Sequence, residues 1–280
     1  MKTLGASYLF HEARNGHRGL DLARSTLFDC ILLDYNLPDM TGFEVLAELR
    51  RHQGPSAPVV IFTGEGNESL AVEAMKLGAH DYLPKAQLRP DTLARAIANA
   101  IEKSSLQRKL ADAQQNLEHL ALYDALTGLG NRNLFHRELA RAIAVAKRHE
   151  TSFPLLVMDL DKFKAANDEF GHEAGDAILT AVGFRLQGIS RAADAYFRQG
   201  GDEFTAILEA GSDGKVAAQR ILEVVAQPVT FGPHVLDVRV SIGVAIYPTD
   251  GANAAAIVHA ADRAMYEAKK LDVGWAAVGG

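Results

Sequence analysis

The chain has 280 residues, enough for two ordinary domains. Its 48% apolar and 23% charged residues are those of a globular protein, and a net charge of −6 argues against general nucleic-acid binding. The apolar runs are too short to span a bilayer and no signal-peptide pattern opens the chain, so it reads as cytoplasmic, with neither a membrane nor nucleic acid as partner.

In chain order, YLFHEA (8–13) predicts a strand and 16–25 a helix. FDCILLD (28–34) predicts a strand whose single cysteine, Cys30, reads as a core thiol. A helix over 41–52, a strand over 58–63, a helix over 67–78 and a short strand over 81–83 follow. Strand alternating with helix predicts a parallel open sheet. From Asp91 to about Tyr123 there is no glycine or proline, and Leu93, Ile97, Ile101, Leu106, Leu110, Leu117 and Leu120 are spaced largely by three, four or seven. That predicts a long amphipathic helix with coiled-coil character. Roughly 30 residues at 1.5 Å rise make about 45 Å, more than one small domain needs. A protruding dimer stalk and a helix packed on its own domain are the two readings.

The second half predicts a helix over 135–149, a strand over 153–161, a helix over 175–189 and a hairpin over 195–208. A helix over 214–227, a strand-rich stretch over 234–247 and a helix over 254–271 complete it. Antiparallel strands mixed with crossover helices predict a palm-like α+β domain with a mixed, mostly antiparallel sheet. The chain as a whole is α/β in class. Its predicted segments are 1–90, a linking helix over 91–122, and 123–280.

Acids punctuate the second half. Asp159 and Asp161 end an apolar strand, and period two puts them on one face. In RAADAYFRQGGDEF (191–204), Gly200 and Gly201 precede Asp202 and Glu203. Glycine there suits a tight turn with positive φ and lets a bulky ligand lie on the backbone. The turn accounts for the glycines but not for the acids after them. A hairpin lying beside 155–161 would bring three or four carboxylates together. All-oxygen donors favour Mg²⁺ or Mn²⁺. Surface acids on separate turns are the alternative. In FKAANDEFGHEAGDAIL (163–179), Lys164 is a candidate phosphate contact. Asn167 and Asp176 are a candidate purine-edge pair, since a carboxylate accepts from two guanine donors while an amide both donates and accepts. Asn167 as a helix cap and His172 as a loop residue are the plainer readings. Gly171 and Gly175 predict irregular backbone before the helix. Arg191-x-x-Asp194 reads locally as an ion pair worth about 0.2–0.5 kcal/mol.

DALTGLGNR (124–132), MDLDKFKAANDEFGHEAGD (158–176), RAADAYFRQGGDEF (191–204), VSIGVA (240–245) and ADRAMYEAK (261–269) stand in this order. Together they resemble the diguanylate cyclase, or GGDEF, domain from about Leu120 to the end. The resemblance implies condensation of two GTP into cyclic di-GMP with release of two pyrophosphates, each domain of a homodimer holding one GTP. It implies a site for two Mg²⁺ (or Mn²⁺) per GTP from Asp159, the Leu160 carbonyl, Asp202 and Glu203. Asp202, Glu203 and Lys164 are the implied catalytic residues. Phe163, Lys164, Asn167, His172, Asp176, Gly200, Gly201 and Lys269 are implied to bind substrate. Arg191 and Asp194, with Arg198, are implied to form a product-inhibition surface for cyclic di-GMP. One departure stands out. The family usually follows its Ala-Lys helix end with Gly-Arg-Asn, and this chain has Asp272-Val273-Gly274. Losing that arginine's phosphate contact costs roughly 1.5–3 kcal/mol, with Lys270 nearby as a substitute. Weakened activity or GTP affinity is the expectation. The alternative function is a catalytically silent GTP- or cyclic di-GMP-binding module.

In the first half, ILLDYNLPDMTGFEVL, IFTGEG and DYLPK place Asp34, Thr63 and Lys85 at three strand ends. A nucleophile, a hydroxyl and a cation so placed suit an acyl phosphate, and ordinary polar strand ends are the alternative. Together the stretches resemble a response-regulator receiver domain, matching from about Glu12 to Ile101. That implies Asp34 as phosphoacceptor from an upstream histidine kinase, Thr63 and Tyr82 as switch residues and Lys85 as the phosphate-sensing lysine. A receiver normally begins with a further strand ending in an acidic pair. Only 33 residues precede Asp34, and that strand and pair are absent. The expectation is an incomplete receiver with open strand edges and without its Mg²⁺ ligands, acting as phosphorylation input or as a degenerate dimerisation module, or else a fragment of a longer natural chain.

Overall fold

The structure, a computed structural model, describes residues 9–51, 57–64 and 68–279. The chain divides into two compact units, Met1–Gln114 and Gln115–Gly280.

The first unit runs α1 (Gly16–Ser25), β1 (Ile31–Asp34), α2 (Gly42–Arg51), β2 (Val59–Thr63), α3 (Glu68–Lys76) and β3 (Asp81–Pro84), then enters α4 (Pro90–Leu122). The strands form the predicted parallel sheet in the order β1-β2-β3. Local chemistry sets the helix starts. The Asn15 side chain accepts from the Arg18 N–H, and Thr41 and Glu44 bond each other's backbone N–H as a capping box. Gly42 is required where α2 meets the end of β1, because a Cβ there would lie 2.7 Å from the Asp34 carbonyl oxygen. Cys30 is half-buried, and burial pushes its thiol up to about 11, as suits a core thiol.

The predicted strand over 8–13 does not form at 9–13, and Tyr8 lies outside the described residues. Leu9 and Phe10 are 87% and 70% exposed. A strand needs a partner for its backbone groups. Among the described residues β1 pairs only with β2, so no neighbouring strand holds this segment.

Helix α4 buries Ala96, Ile97, Ala100 and Ser104. From 105 to 121 every residue is exposed, so the helix is not packed on its own domain there.

The second unit opens with α5 (Arg132–His149), β4 (Phe153–Leu160), α6 (Phe163–Phe170), α7 (His172–Ile189), β5 (Ala195–Gly200) and β6 (Glu203–Ile207). It closes with α8 (Gly214–Val225), β7 (Val229–Phe231), β8 (His234–Leu236), β9 (Val240–Tyr247), α9 (Ala254–Leu271) and β10 (Trp275–Ala277). The five-stranded sheet has the order β10-β9-β4-β6-β5. Only β10–β9 is parallel, giving the mixed, mostly antiparallel sheet that was expected. Strand β4 is central and covered on both faces. Leu156, Met158 and Leu160 join a core with α7 and α8, while Phe153, Leu155 and Val157 join one with α5 and α9. That is why its sequence is apolar from Phe153 to Met158. Three elements were not predicted, the short helix α6, the three-residue strand β7 and the edge strand β10. Gly175, expected in irregular backbone, lies inside α7, and the break falls at Gly171 with φ 88°.

Candidate active site

The two acidic segments meet. Asp159 and Glu203 are register partners across β4 and β6. The Leu160 N–H donates to the Asp202 carbonyl at 3.2 Å, which ties the hairpin turn to the end of β4. Gly200 and Gly201 have φ of 136° and 54°, conformations that L side chains rarely adopt, and among the described residues nothing beyond their chain neighbours lies within 4 Å of where their Cβ atoms would be. The turn is thus both glycine-dependent and open above. Asp161 follows the last residue of β4 and accepts from the Ser241 hydroxyl at 2.8 Å.

Lys269, in the last turn of α9, donates from its ammonium to Asp159 Oδ1. This bond to Asp159 foremost, against the opposing pull of burial, raises the lysine above its ordinary value, and the charges of Asp159, Asp161 and Asp202 add to it. The charges of three acids therefore favour the protonated form of one ammonium. Helix α9 reaches this position by lying hard on β9. A Cβ on Gly243 would meet the Ala261 carbonyl oxygen at 1.9 Å and the Met265 nitrogen at 2.2 Å.

Among the described residues, no three His, Cys, Asp or Glu side chains are grouped as a metal site. The donors that do meet are carboxylates beside main-chain oxygens. Asp159 already holds one cation, the lysine ammonium, so this set fits a hard divalent ion by its chemistry.

Helices α6 and α7 follow β4 in the chain and pack on each other. Asn167 lies within α6 and caps nothing, in contrast to the plainer reading. Its Oδ1 is buried without a hydrogen-bond partner. It sits over Gly175, where a Cβ would come within 1.9 Å of it, and Asp176 is the next residue along α7. A buried acceptor without a donor is costly unless a ligand supplies one. Lys164 and His172 are exposed on α6 and at the start of α7, and Phe163 packs on the core. Val273 is 54% exposed beyond α9.

Arg191 and Asp194 line a separate cavity of about 170 Å³ with Tyr196, Asp213 and Arg220. Both Asp194 oxygens accept backbone N–H bonds, from Arg191 and Glu209. Burial pushes the Tyr196 hydroxyl up to about 12. Arg198 is not part of this lining. Its guanidinium bonds the Asp124 carboxylate at 3.1 and 3.2 Å and the Gly201 carbonyl at 2.9 and 3.0 Å, so it braces the hairpin turn. Burial would raise Asp124, but hydrogen bonds from Thr127 and Arg198 outweigh it and hold the carboxyl below its ordinary range. Sequence reasoning gave Arg220 and Asp124 no role, although Asp124 opens one of the quoted motifs.

In the first unit, Asp34, Thr63 and Lys85 stand at or just beyond the C-terminal ends of β1, β2 and β3. Lys85 Nζ donates to Asp34 Oδ2 at 2.5 Å. Thr63 is buried and Tyr82 half-buried on β3. Glu12 is exposed.

Among the described residues, no helix is long and apolar enough to cross a membrane. Residues 121–272 match the family profile of the diguanylate cyclase, GGDEF domain, and residues 5–98 that of the response regulator receiver domain. The bifunctional diguanylate cyclase/cyclic di-GMP phosphodiesterase MucR of Pseudomonas aeruginosa is 42% identical over 168 residues, 59% of this chain and 24% of MucR. The response regulator PleD of Caulobacter vibrioides is 30% identical over 250 residues, 86% of this chain and 54% of PleD. The chain thus spans only part of these relatives. Among solved structures, the coiled coil and GGDEF domain of DgcB from Caulobacter crescentus, in complex with c-di-GMP, superposes with a TM-score of 0.58 at 27% identity. It covers 64% of this chain and 97% of that one. With its acids, its glycine turn and more than half its length matched, the chain belongs to the diguanylate cyclase GGDEF-domain family, with a receiver domain preceding it.

Proposed function

We propose that the protein condenses two GTP molecules into cyclic di-GMP with release of two pyrophosphates. The observation that carries this is the register pairing of Asp159 with Glu203 beside an open glycine turn. Asp159, Glu203, the Leu160 carbonyl and Asp202 would hold Mg²⁺ or Mn²⁺. Bound there, a pair of such ions supplies charge neutralisation for the triphosphate and a lowered pKa for the attacking 3′-hydroxyl. The chain's own residues position the substrate. The buried Asn167 Oδ1 accepts from guanine and Asp176 accepts at the same base edge. Lys164, Lys269 and the Phe163 amide meet phosphate oxygens, with His172 alongside, and Gly200 and Gly201 let the nucleotide lie on the backbone.

Each domain binds one GTP, so the reaction needs two domains face to face in a homodimer. The exposed leucines of α4 support that arrangement, with 1–90 as input, 91–122 as stalk and 123–280 as cyclase. Arg191 and Asp194 serve product inhibition by cyclic di-GMP. Asp34, with Thr63, Tyr82 and Lys85, takes phosphate from an upstream histidine kinase. The test is incubation with GTP and Mg²⁺ while pyrophosphate and cyclic dinucleotide are followed. Both products in a 2:1 ratio are expected. The exposed Val273, standing where the family has an arginine, favours the second reading of a silent binding module. GTP binding without either product would establish that one instead.

A further inference from the structure

Building on the metal-site reading above, we propose that Lys269 is a placeholder for the divalent cation. Its ammonium neutralises Asp159 in the nucleotide-free protein and transfers to the phosphates when cation and triphosphate bind.

Asp159 is only 17% exposed and lies beside its register partner Glu203. Asp161 accepts from the hydroxyl of Ser241, the register partner of Asp159 on the other side, and the Asp202 carbonyl accepts from the Leu160 N–H next to Asp159. Paired carboxylates such as Asp159 and Glu203 repel one another unless a positive charge sits beside them. In this structure the charge is supplied by the Lys269 ammonium, bonded to Asp159 Oδ1. An ammonium has three donors and no lone pair, so it occupies a carboxylate oxygen that a metal ion would ligate. Lysine and cation therefore compete for Asp159.

The geometry allows exchange without rearrangement. The Lys269 side chain is 43% exposed. Its backbone belongs to α9, which is seated on β9 through Gly243. The flexible stem can swing while the helix stays in place. A triphosphate arriving with its cation offers the displaced ammonium new oxygens. Displacement from Asp159 then links cation and nucleotide binding, and the linkage is reciprocal. The nucleotide-free protein holds the cation weakly, so the acids stay neutralised without retaining a metal in the absence of substrate.

The test is titration of the full chain with Mn²⁺, with free ion read by electron paramagnetic resonance. It is run without nucleotide and with a GTP analogue carrying a methylene bridge between the α and β phosphorus atoms. Without nucleotide, K269M is expected to bind Mn²⁺ about tenfold more tightly than the parent, the size of one charge-assisted hydrogen bond. K269R keeps a competing cation and is expected to stay near the parent value, which controls for folding. The gain in Mn²⁺ affinity brought by the analogue is expected to shrink in K269M by the same factor. The placeholder role is overturned if nucleotide-free K269M binds Mn²⁺ no more tightly than the parent, binding by neither included. D159N separates the two ideas. If it leaves Mn²⁺ binding with the analogue unchanged, the metal-site reading itself has failed. If it abolishes that binding while K269M shows no gain, only the placeholder falls.

Discussion

Asp159 and Glu203 face each other across one register pair, an arrangement that works against folding and so points to function. Replacing one acid with its amide should relieve repulsion while removing a ligand. E203Q is therefore expected to lose about a thousandfold in product formation, the equivalent of several kcal/mol of charge stabilisation. Its urea midpoint should equal or exceed that of the parent. Near-parental turnover at saturating Mg²⁺ would contradict the assignment. Asp124 makes the opposite case. Its carboxyl is held below the ordinary range in the folded protein, so its contribution to stability is present above about pH 4 and is lost as pH falls through the folded value. R198A should raise that folded value and weaken the acid limb of the stability profile, as read from urea midpoints between pH 3 and 6 (a range set by ordinary carboxylate values). The acids around the glycine turn were legible because strand polarity and turn chemistry are local. The Asp124–Arg198 pair was not, because its members lie 74 positions apart and nothing local links them.

At the level of elements, most helices and strands were legible because their periodicity is long and their caps are explicit. The failures have physical reasons. Helix α6 has eight residues, too few for a repeated apolar face, and it ends at a glycine. Gly175 looked like a breaker, but its missing Cβ makes room for Asn167 between two packed helices. Strand β10 has three residues and exists through pairing with β9, a non-local contact. The predicted strand over 8–13 had the right composition and lacked a partner. Gly243 shows the same packing logic at the element that carries Lys269. A methyl group there would meet backbone atoms of α9, which cannot swing aside. G243A is expected to destabilise the protein toward the upper end of about 1–3 kcal/mol. Because the clash pushes α9 away from β9, it should also lower affinity for GTP analogues. Urea denaturation and calorimetric titration of the analogue read the two effects separately. Unchanged values in both would mean that the helix is not seated as described.

At the scale of the whole molecule, the proposed reaction needs two chains, and α4 carries an exposed apolar surface. Leu106, Leu110, Leu117 and Leu120 are 58–69% exposed along α4, at spacings of four, seven and three. With Ala113 between them they form a heptad seam. Each leucine fully buried against a partner would contribute about 1.5–3 kcal/mol before the cost of association. A second copy of the same helix fits this seam, and under the proposed reaction it would also bring the second GTP. L110E/L117E exchanges leucine for a residue of similar helix propensity, so α4 should persist while the seam carries repelling charges. Light scattering should then report a monomer. Product formation per chain should fall steeply and rise with protein concentration, as expected when two half-sites must collide. Circular dichroism should remain unchanged, which separates loss of pairing from loss of fold. A variant that stays dimeric with full turnover would show that another surface joins the two cyclase domains. The exposed leucines would then need a different explanation.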